Sequence, residues 1–365
     1  MPFCERRCHY CSFNTAPRDD AGLVRYLDAV NREVRVLATL PWAGAVTIGT
    51  VFLGGGTPSL LAPDDLAHLL DGLRAGFALA PGAEVTVECN PESVTRAKLE
   101  RYRAAGVSRV SLGVQSLDDT LLERLGRLHD GRRARDAFGA AREAGFDNVS
   151  VDLMYGLPGQ DVAAWAGTVD TVLAWAPDHV SAYGLTLDGG SAWGTGGVAG
   201  LPAEDTVVEQ YWTLARAAAA RGLEHYEISN YARPGFRARH NEVYWRAGEY
   251  LAAGPGGCGF VGDVRYGNAR PLPRYCAALE GGALPIESAE RLTARQRLGE
   301  QLMLGLRTAD GVPAAWLDER LAGDAALARR VHAWHERGLL VTANDRAALT
   351  EAGFLLSDAL FVDLL

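Results

Sequence analysis

Three of the chain's six cysteines, Cys4, Cys8 and Cys11, fall within its first eleven residues, in the stretch MPFCERRCHYCSFNT. Thiolates are soft ligands that suit zinc and iron–sulfur clusters, and the spacing C-x3-C-x2-C lets one loop fold three sulfurs around a common centre. A structural zinc ion wants a fourth protein ligand to close its tetrahedron, and a 4Fe–4S cluster usually takes four cysteines. The loop offers three. His9 is a candidate fourth ligand if it turns inward beside Cys8, and Cys89 is another. The more economical reading is an open site, in which three cysteines hold three irons of a cluster and the fourth iron is free for a substrate. A structural zinc site is the alternative.

Further polar residues stand where apolar runs end. VFLGGGTPS places Gly55, Gly56 and Thr57 after one run, and glycine permits positive φ and close approach of backbone to a ligand. Glu88 opens ECNPES, Gln115 ends SLGVQS, and Arg127 lies twelve residues beyond it. Asp152 sits among β-branched residues in VSVDLMYGLPG, where an unpaired buried carboxylate would be costly.

The elements that must position these residues follow from the hydrophobic pattern. β-rich runs at 46–56, 84–90, 109–116, 148–159 and 179–186 alternate with helical stretches, the first over 19–40. Strand followed by helix, repeated, implies a parallel sheet with helical crossovers, whose ligands gather at the carboxyl ends of the strands. A first strand should precede the cysteine loop. Met1, Pro2 and Phe3 leave no room for one, so the expectation is an α/β partial (β/α)6 barrel with its first strand truncated. After Thr186 a Gly-rich connection, LDGGSAWGTGGVAGLP, is expected to be mobile. A helix and a strand-like HYEISNYA (225–232) follow, then a loop-rich stretch over 236–270 and a small helical module with a hairpin in VTANDRAALT, like a winged-helix unit. The expected division is 1–230, 231–290 and 291–365.

Composition bounds the function classes. The 365 residues are 48% hydrophobic and 22% charged, with a net charge of −9, which argues against a broad nucleic-acid footprint. No apolar run reaches the roughly 18 residues of a membrane span, and no signal segment is recognisable. The expectation is a soluble cytoplasmic protein. In a reducing compartment, closely spaced cysteines read as metal ligands or redox groups rather than disulfides.

Cys4, Cys8, Tyr10 and Cys11 fill C-x3-C-x-aromatic-C, and the loop therefore resembles that of the radical S-adenosylmethionine (SAM) superfamily. GGGTPS, ECNPES, SLGVQS, DLMYGLPGQ and HYEISNYA resemble landmarks of its branch containing oxygen-independent coproporphyrinogen III oxidase, the HemN/HemW family. The resemblance runs nearly the full chain. It implies a 4Fe–4S cluster on the three cysteines and SAM contacts at Tyr10, Gly55, Gly56, Thr57, Glu88, Gln115, Arg127 and Asp152. The family also uses a tyrosine on the first strand, which this sequence lacks.

Two features separate the branches. The oxidase carries an extra cysteine two places beyond the third, where this chain has Phe13. His240, Asn241, Tyr244 and Trp245 fill the H-N-x-x-Y-W motif of the HemW branch, whose members are regarded as heme chaperones. Histidine is a common axial ligand of heme iron, and Tyr and Trp offer flat apolar faces with polar tips. Cys258 stands where family members show a histidine. The resemblance thus implies heme as cargo, heme-accepting proteins as partners, including peripheral contact with membrane-bound acceptors, and no nucleic acid. No catalytic residue is assigned. The alternatives are the oxidase itself and a HemN-like radical SAM methyltransferase.

Overall fold

The computed structural model describes residues 1–362; the last three residues of the expected 291–365 unit lie outside the described residues. Two short strands, β1 (Phe3–Cys4) and β2 (Ala16–Pro17), pair in parallel and close the cysteine loop between them. The helix α1 (Asp20–Ala38) follows, capped by the Asp19 carboxylate, which accepts the Gly22 N–H at 3.0 Å. Then strand and helix alternate: β3 (Thr47–Leu53), α2 (Pro63–Gly76), β4 (Ala78–Cys89), α3 (Arg96–Ala104), β5 (Arg109–Gln115), α4 (Asp119–Leu125), α5 (Gly131–Glu143), β6 (Val149–Tyr155), α6 (Val162–Ala174) and β7 (His179–Gly184). Asp118, Asp130 and Asp161 cap α4, α5 and α6 with their carboxylates, satisfying N–H groups that a helix start leaves free.

These strands form an open seven-stranded sheet in the order β3-β4-β5-β6-β7-β9-β8, with β8 (Glu224–Glu227) and β9 (Asn230–Ala232) after α7 (Ala192–Gly196) and α8 (Glu204–Ala220). β3 to β7 are parallel, whereas β9 and β8 close the far side antiparallel. The parallel run is thus five strands, as expected of a partial (β/α)6 barrel without its first strand, and the β9–β8 hairpin extends its far edge. At the other edge, residues 1–3 cover only the carboxyl end of β3. The Met1 ammonium donates to Gly54 O at 2.9 Å, Gly56 N–H donates to Met1 O at 2.7 Å, and Thr57 N–H donates to Phe3 O at 2.8 Å. The rest of that edge borders a cavity.

Strand parity sorts the residues. Val85, Val87 and Cys89 of β4, Val110, Leu112 and Val114 of β5, and Val149, Val151 and Leu153 of β6 belong to the main core with residues of the crossover helices. The alternate residues, among them Glu88, Arg109, Ser111, Gln115, Asp152 and Ser181, form the other, polar face.

The Gly-rich connection is built differently from the expectation. It contains α7, whose Trp193 is 9% exposed and packs with Leu121, Leu125 and Leu157, with Tyr10 against them. Trp193 N–H donates to His9 O at 3.0 Å, and Arg7 donates to Gly190 O at 2.9 Å. The tryptophan anchors the glycines beneath the cysteine loop.

The stretch expected as loop-rich holds α9 (Arg239–Trp245) and a hairpin of β10 (Cys258–Val261) and β11 (Val264–Asn268); α10 (Leu272–Glu280) and β12 (Ile286–Arg291) follow, the latter extending the hairpin's sheet. Glu33 of α1 ties this region down: its buried carboxylate accepts Gly254 N–H at 2.8 Å and also bonds Asn268 and Tyr275. A separate core of Leu302, Leu306, Leu317, Val331 and Trp334 joins α11 (Ala294–Gly305), α12 (Ala314–Leu321) and α13 (Ala325–Glu336) to the sheet β13-β15-β14. Here β13 is Val312–Pro313, β14 is Leu340–Ala343 and β15 is Arg346–Leu349. Between β14 and β15, Asn344 and Asp345 both have positive φ (50° and 60°), as a two-residue type I′ hairpin turn requires. Among the described residues no helix is long and apolar enough to cross a membrane.

Candidate functional site

The cysteine loop sits at the carboxyl ends of β3–β6. Cys4, Cys8 and Cys11 are free and partly exposed. Burial pushes the Cys4 and Cys11 thiols up, and the charges of the neighbouring cysteines add to it. Among the described residues no three His, Cys, Asp or Glu side chains converge closely enough to hold one metal ion. The three thiols lie near enough for their charges to act on one another. Neither candidate fourth ligand is placed to join them. His9 turns away: its Nδ1 lies 3.0 Å from Arg124 O and its ring packs near Trp193. Cys89 is buried on the helix side of β4, its Sγ directed to Val87 O.

Arg127 connects the loop to the strand ends. Its Nη1 lies 3.7 Å from Cys8 Sγ, and its Nη2 donates to Asn90 Oδ1 (2.8 Å) and Gly113 O (2.7 Å). Burial works against its charge, but Tyr10, Cys8 and Glu92 hold the guanidinium firmly protonated. Arg127 Nε is buried and unpartnered, a donor left over for an anionic ligand. Gln115, at the tip of β5, has φ of 65° beside a register shift with β6, and such strain in a non-glycine residue is characteristic of functional sites. Glu88 is pushed up to about 7 by burial and by the nearby Asp152 carboxylate, against the Gly55 N–H that donates to it at 3.1 Å. Asp152 is raised by burial and offset by serine hydroxyls, with Ser111 donating to both its oxygens at 3.0 Å.

The glycine motif has a structural cause of its own. A Cβ on Gly55 (φ 108°) would meet Met1 O at 2.8 Å, and one on Gly56 would meet Phe3 O at 2.4 Å. Thr57 is buried, and its hydroxyl supports the Cys4 sulfur. These residues therefore build the loop's seat. Sequence reasoning missed Asn90, which accepts from Arg127 and donates to Thr57 Oγ1 (3.3 Å) and Glu92 (3.1 Å). It also missed Glu92, paired with the buried His129, and Arg109, whose buried Nε has no partner on the polar face. Asn90 lies two residues from Glu88 in the same ECNPES run, which was the available signal.

The H-N-x-x-Y-W residues lie on α9. Glu84, on the polar face of β4, accepts the N–H groups of Arg239 (3.2 Å) and His240 (3.1 Å), and so fixes the start of this helix. His240 and Tyr244, one turn apart, share a face. The His240 ring stacks on Phe52 (5.1 Å, 22°), with Nδ1 2.9 Å from Thr50 Oγ1 and Nε2 2.8 Å from the Tyr244 hydroxyl. Burial, then the charge of Arg109, lowers its pKa to about 4, so the imidazole is neutral at physiological pH. Tyr244 stands edge-on to Tyr250 (4.6 Å). Both line a cavity of about 1040 Å³ along the uncovered edge of β3. Trp245 turns elsewhere, into a cleft of about 250 Å³ with Arg237, Asp310 and Trp316. Asn241 is half-buried and lines neither space. The motif is therefore divided between two surfaces.

A model of the Radical SAM superfamily matches residues 1–172, and one of the HemN C-terminal domain matches residues 292–356. Over 373 aligned residues the chain is 39% identical to heme chaperone HemW of Mycobacterium tuberculosis, covering 100% of this chain and 93% of the relative. This chain belongs to the HemW family. Heme chaperone HemW of Bacillus subtilis is 32% identical, with 99% of the HemW-family chain and 96% of the relative covered. Coproporphyrinogen III oxidase (HemN) from Escherichia coli has a similar structure, with a TM-score of 0.88 at 21% identity over 100% of this chain and 88% of that one. At that identity the likeness establishes the fold alone.

Proposed function

We propose that this HemW-family chain is a heme chaperone that carries a SAM-associated 4Fe–4S cluster, binds heme through His240, and delivers it to acceptor proteins. Support comes from relatives named as heme chaperones and from one observation above all: a neutral imidazole held at Nδ1 by Thr50, with Nε2 facing only the Tyr244 hydroxyl. A metal-binding histidine commonly donates its other ring N–H to a fixed oxygen. Thr50 Oγ1 stands at Nδ1 and leaves Nε2 for iron once the Tyr244 hydroxyl moves aside. Cys4, Cys8 and Cys11 would hold the cluster, which supplies one electron at a time to SAM. The free donor of Arg127 suits the methionyl carboxylate, and Glu88, Gln115 and Asp152 suit the amine and ribose hydroxyls, with Tyr10 packed beside the loop. Gly55, Gly56 and Thr57 seat the loop against residues 1–3.

The oxidase shares the fold, so Phe13 carries weight against that reading. It is 64% exposed at the position of the oxidase's extra cysteine. The test is to supply anaerobically reconstituted protein with heme and, separately, with coproporphyrinogen III, SAM and a reductant. The expected result is saturable heme binding and unchanged coproporphyrinogen. Decarboxylated product would overturn the proposal in favour of the oxidase.

A further inference from the structure

We infer that the polar face of the sheet holds a further ligand, a small molecule bearing one carboxylate, seated on Arg109 at the start of β5. The inference is independent of heme and rests on the reading of the strand ends as a SAM site. Arg109 is a buried cation without a contact partner. It is 2% exposed and its Nε has no partner; among the described residues its side chain enters no hydrogen bond and no ion pair. Its charge acts on Glu88 and Asp152 from a distance. Attraction at a distance satisfies none of the five N–H donors of a guanidinium, and buried donors are normally paired. The open edge of the sheet does not account for this, because β3 and β4 lie between that edge and β5. Arg109 also lines neither of the two clefts described above.

Thr86 stands beside it. The two are register partners across β4 and β5, so both face the same side, and Thr86 is 0% exposed with an unpartnered Oγ1. A guanidinium and a hydroxyl thus wait side by side for an acceptor. A carboxylate matches the guanidinium fork with two parallel hydrogen bonds, and the Thr86 hydroxyl supplies a third donor. Charge limits the ligand. With Glu88 and Asp152 within electrostatic reach, a dianion such as phosphate is repelled and a single carboxylate is favoured. SAM, with a sulfonium, an ammonium and one carboxylate, brings net positive charge to the strand ends, so the carboxylate ligand should bind more tightly when SAM is present.

The probe is isotope-labelled acetate, titrated into cluster-reconstituted protein with and without saturating SAM and followed by NMR line broadening. Acetamide is the neutral control, and SAM binding is measured by calorimetry on the same samples. The expected results are saturable acetate binding that SAM tightens, none by acetamide, and at least about tenfold weaker acetate binding by Arg109→Met. The melting temperature of Arg109→Met should be no lower than that of the wild type, since a buried unpaired charge does not support the fold. Thr86→Val, nearly the same shape, should also bind acetate more weakly. No acetate binding by SAM-loaded wild type, or equal binding by Arg109→Met, would overturn the inference, leave the face to water alone and leave the SAM reading standing. If Arg109→Met does not fold, equal binding by Thr86→Val and the wild type overturns it. Failure of the wild type to bind SAM would overturn both readings.

Discussion

Replacing Tyr244 by Phe should tighten heme binding, against the usual direction of a change in a binding motif. The Tyr244 hydroxyl lies 2.8 Å from His240 Nε2, the nitrogen that must face iron. Thr50 holds Nδ1 at 2.9 Å, so the imidazole has no other free position. Heme must break the tyrosine contact before it can bind. A neutral hydrogen bond of this kind contributes about 1 kcal/mol net. Its removal from the free protein should therefore raise heme affinity about fivefold. The phenyl ring keeps the edge-on contacts with His240 (5.0 Å, 87°) and Tyr250 (4.6 Å, 90°), so the wall keeps its shape. The assay is a titration followed by the Soret band at equal ionic strength, with a melting curve as control. Weaker binding by Tyr244→Phe at unchanged stability would mean that the phenol is an anchor for heme and not a stopper on its ligand.

Four further outcomes follow from the same geometry. His240 should stay neutral down to about pH 4 in the folded chain, against 6.5 in the unfolded one. Heme affinity should thus be level from pH 8 to 5, and the folded state should lose up to about 3 kcal/mol from this group as pH falls from 6.5 to 4, because the unfolded chain gains the proton first; urea unfolding at a series of pH values, compared with His240→Gln, reads the difference. Alanine at Cys4, Cys8 or Cys11 should abolish iron incorporation on reconstitution, whereas Cys89→Ala should retain it, as iron and sulfide analysis will show. Arg127→Lys should weaken SAM binding by about 1.5–3 kcal/mol, the worth of a hydrogen bond to a charged group, measured by calorimetry on the reconstituted protein. Trp245→Ala should leave heme affinity within about twofold, since residues without shared partners act nearly independently; a loss like that of His240→Ala would mean that the two faces of α9 act as one site.

The sequence made the cysteine loop and the strand ends readable because both rest on spacing. Three thiols within eight residues are constrained by chain geometry alone, and period-2 alternation decides which side of a strand a residue faces. The same alternation places Cys89 two residues after Val87 on the helix side, which excludes it as a ligand once the strand is drawn through it. The roles of Asn90 and Arg109 were hidden because a polar residue's partner depends on strand order. Asn90 meets Arg127 only because β4 and β5 are neighbours. The division of H-N-x-x-Y-W was missed for a different reason. Read as loop, the motif gathers on one site; read as helix, positions 240 and 244 share a face and 245 does not. Gly55 and Gly56 were legible as places of close approach, and the backbone of residues 1–3 is one partner that approaches them.

The proposed function turns on His240 as the iron ligand of a heme-carrying protein. The most direct measurement is the Soret-monitored titration of ferric heme into reconstituted wild-type protein and His240→Ala. Saturable one-to-one binding is expected of the wild type, and of the variant a loss of at least about tenfold in affinity, or ~1.4 kcal/mol, with a shifted Soret band. Identical spectra and affinities in the two proteins would contradict it.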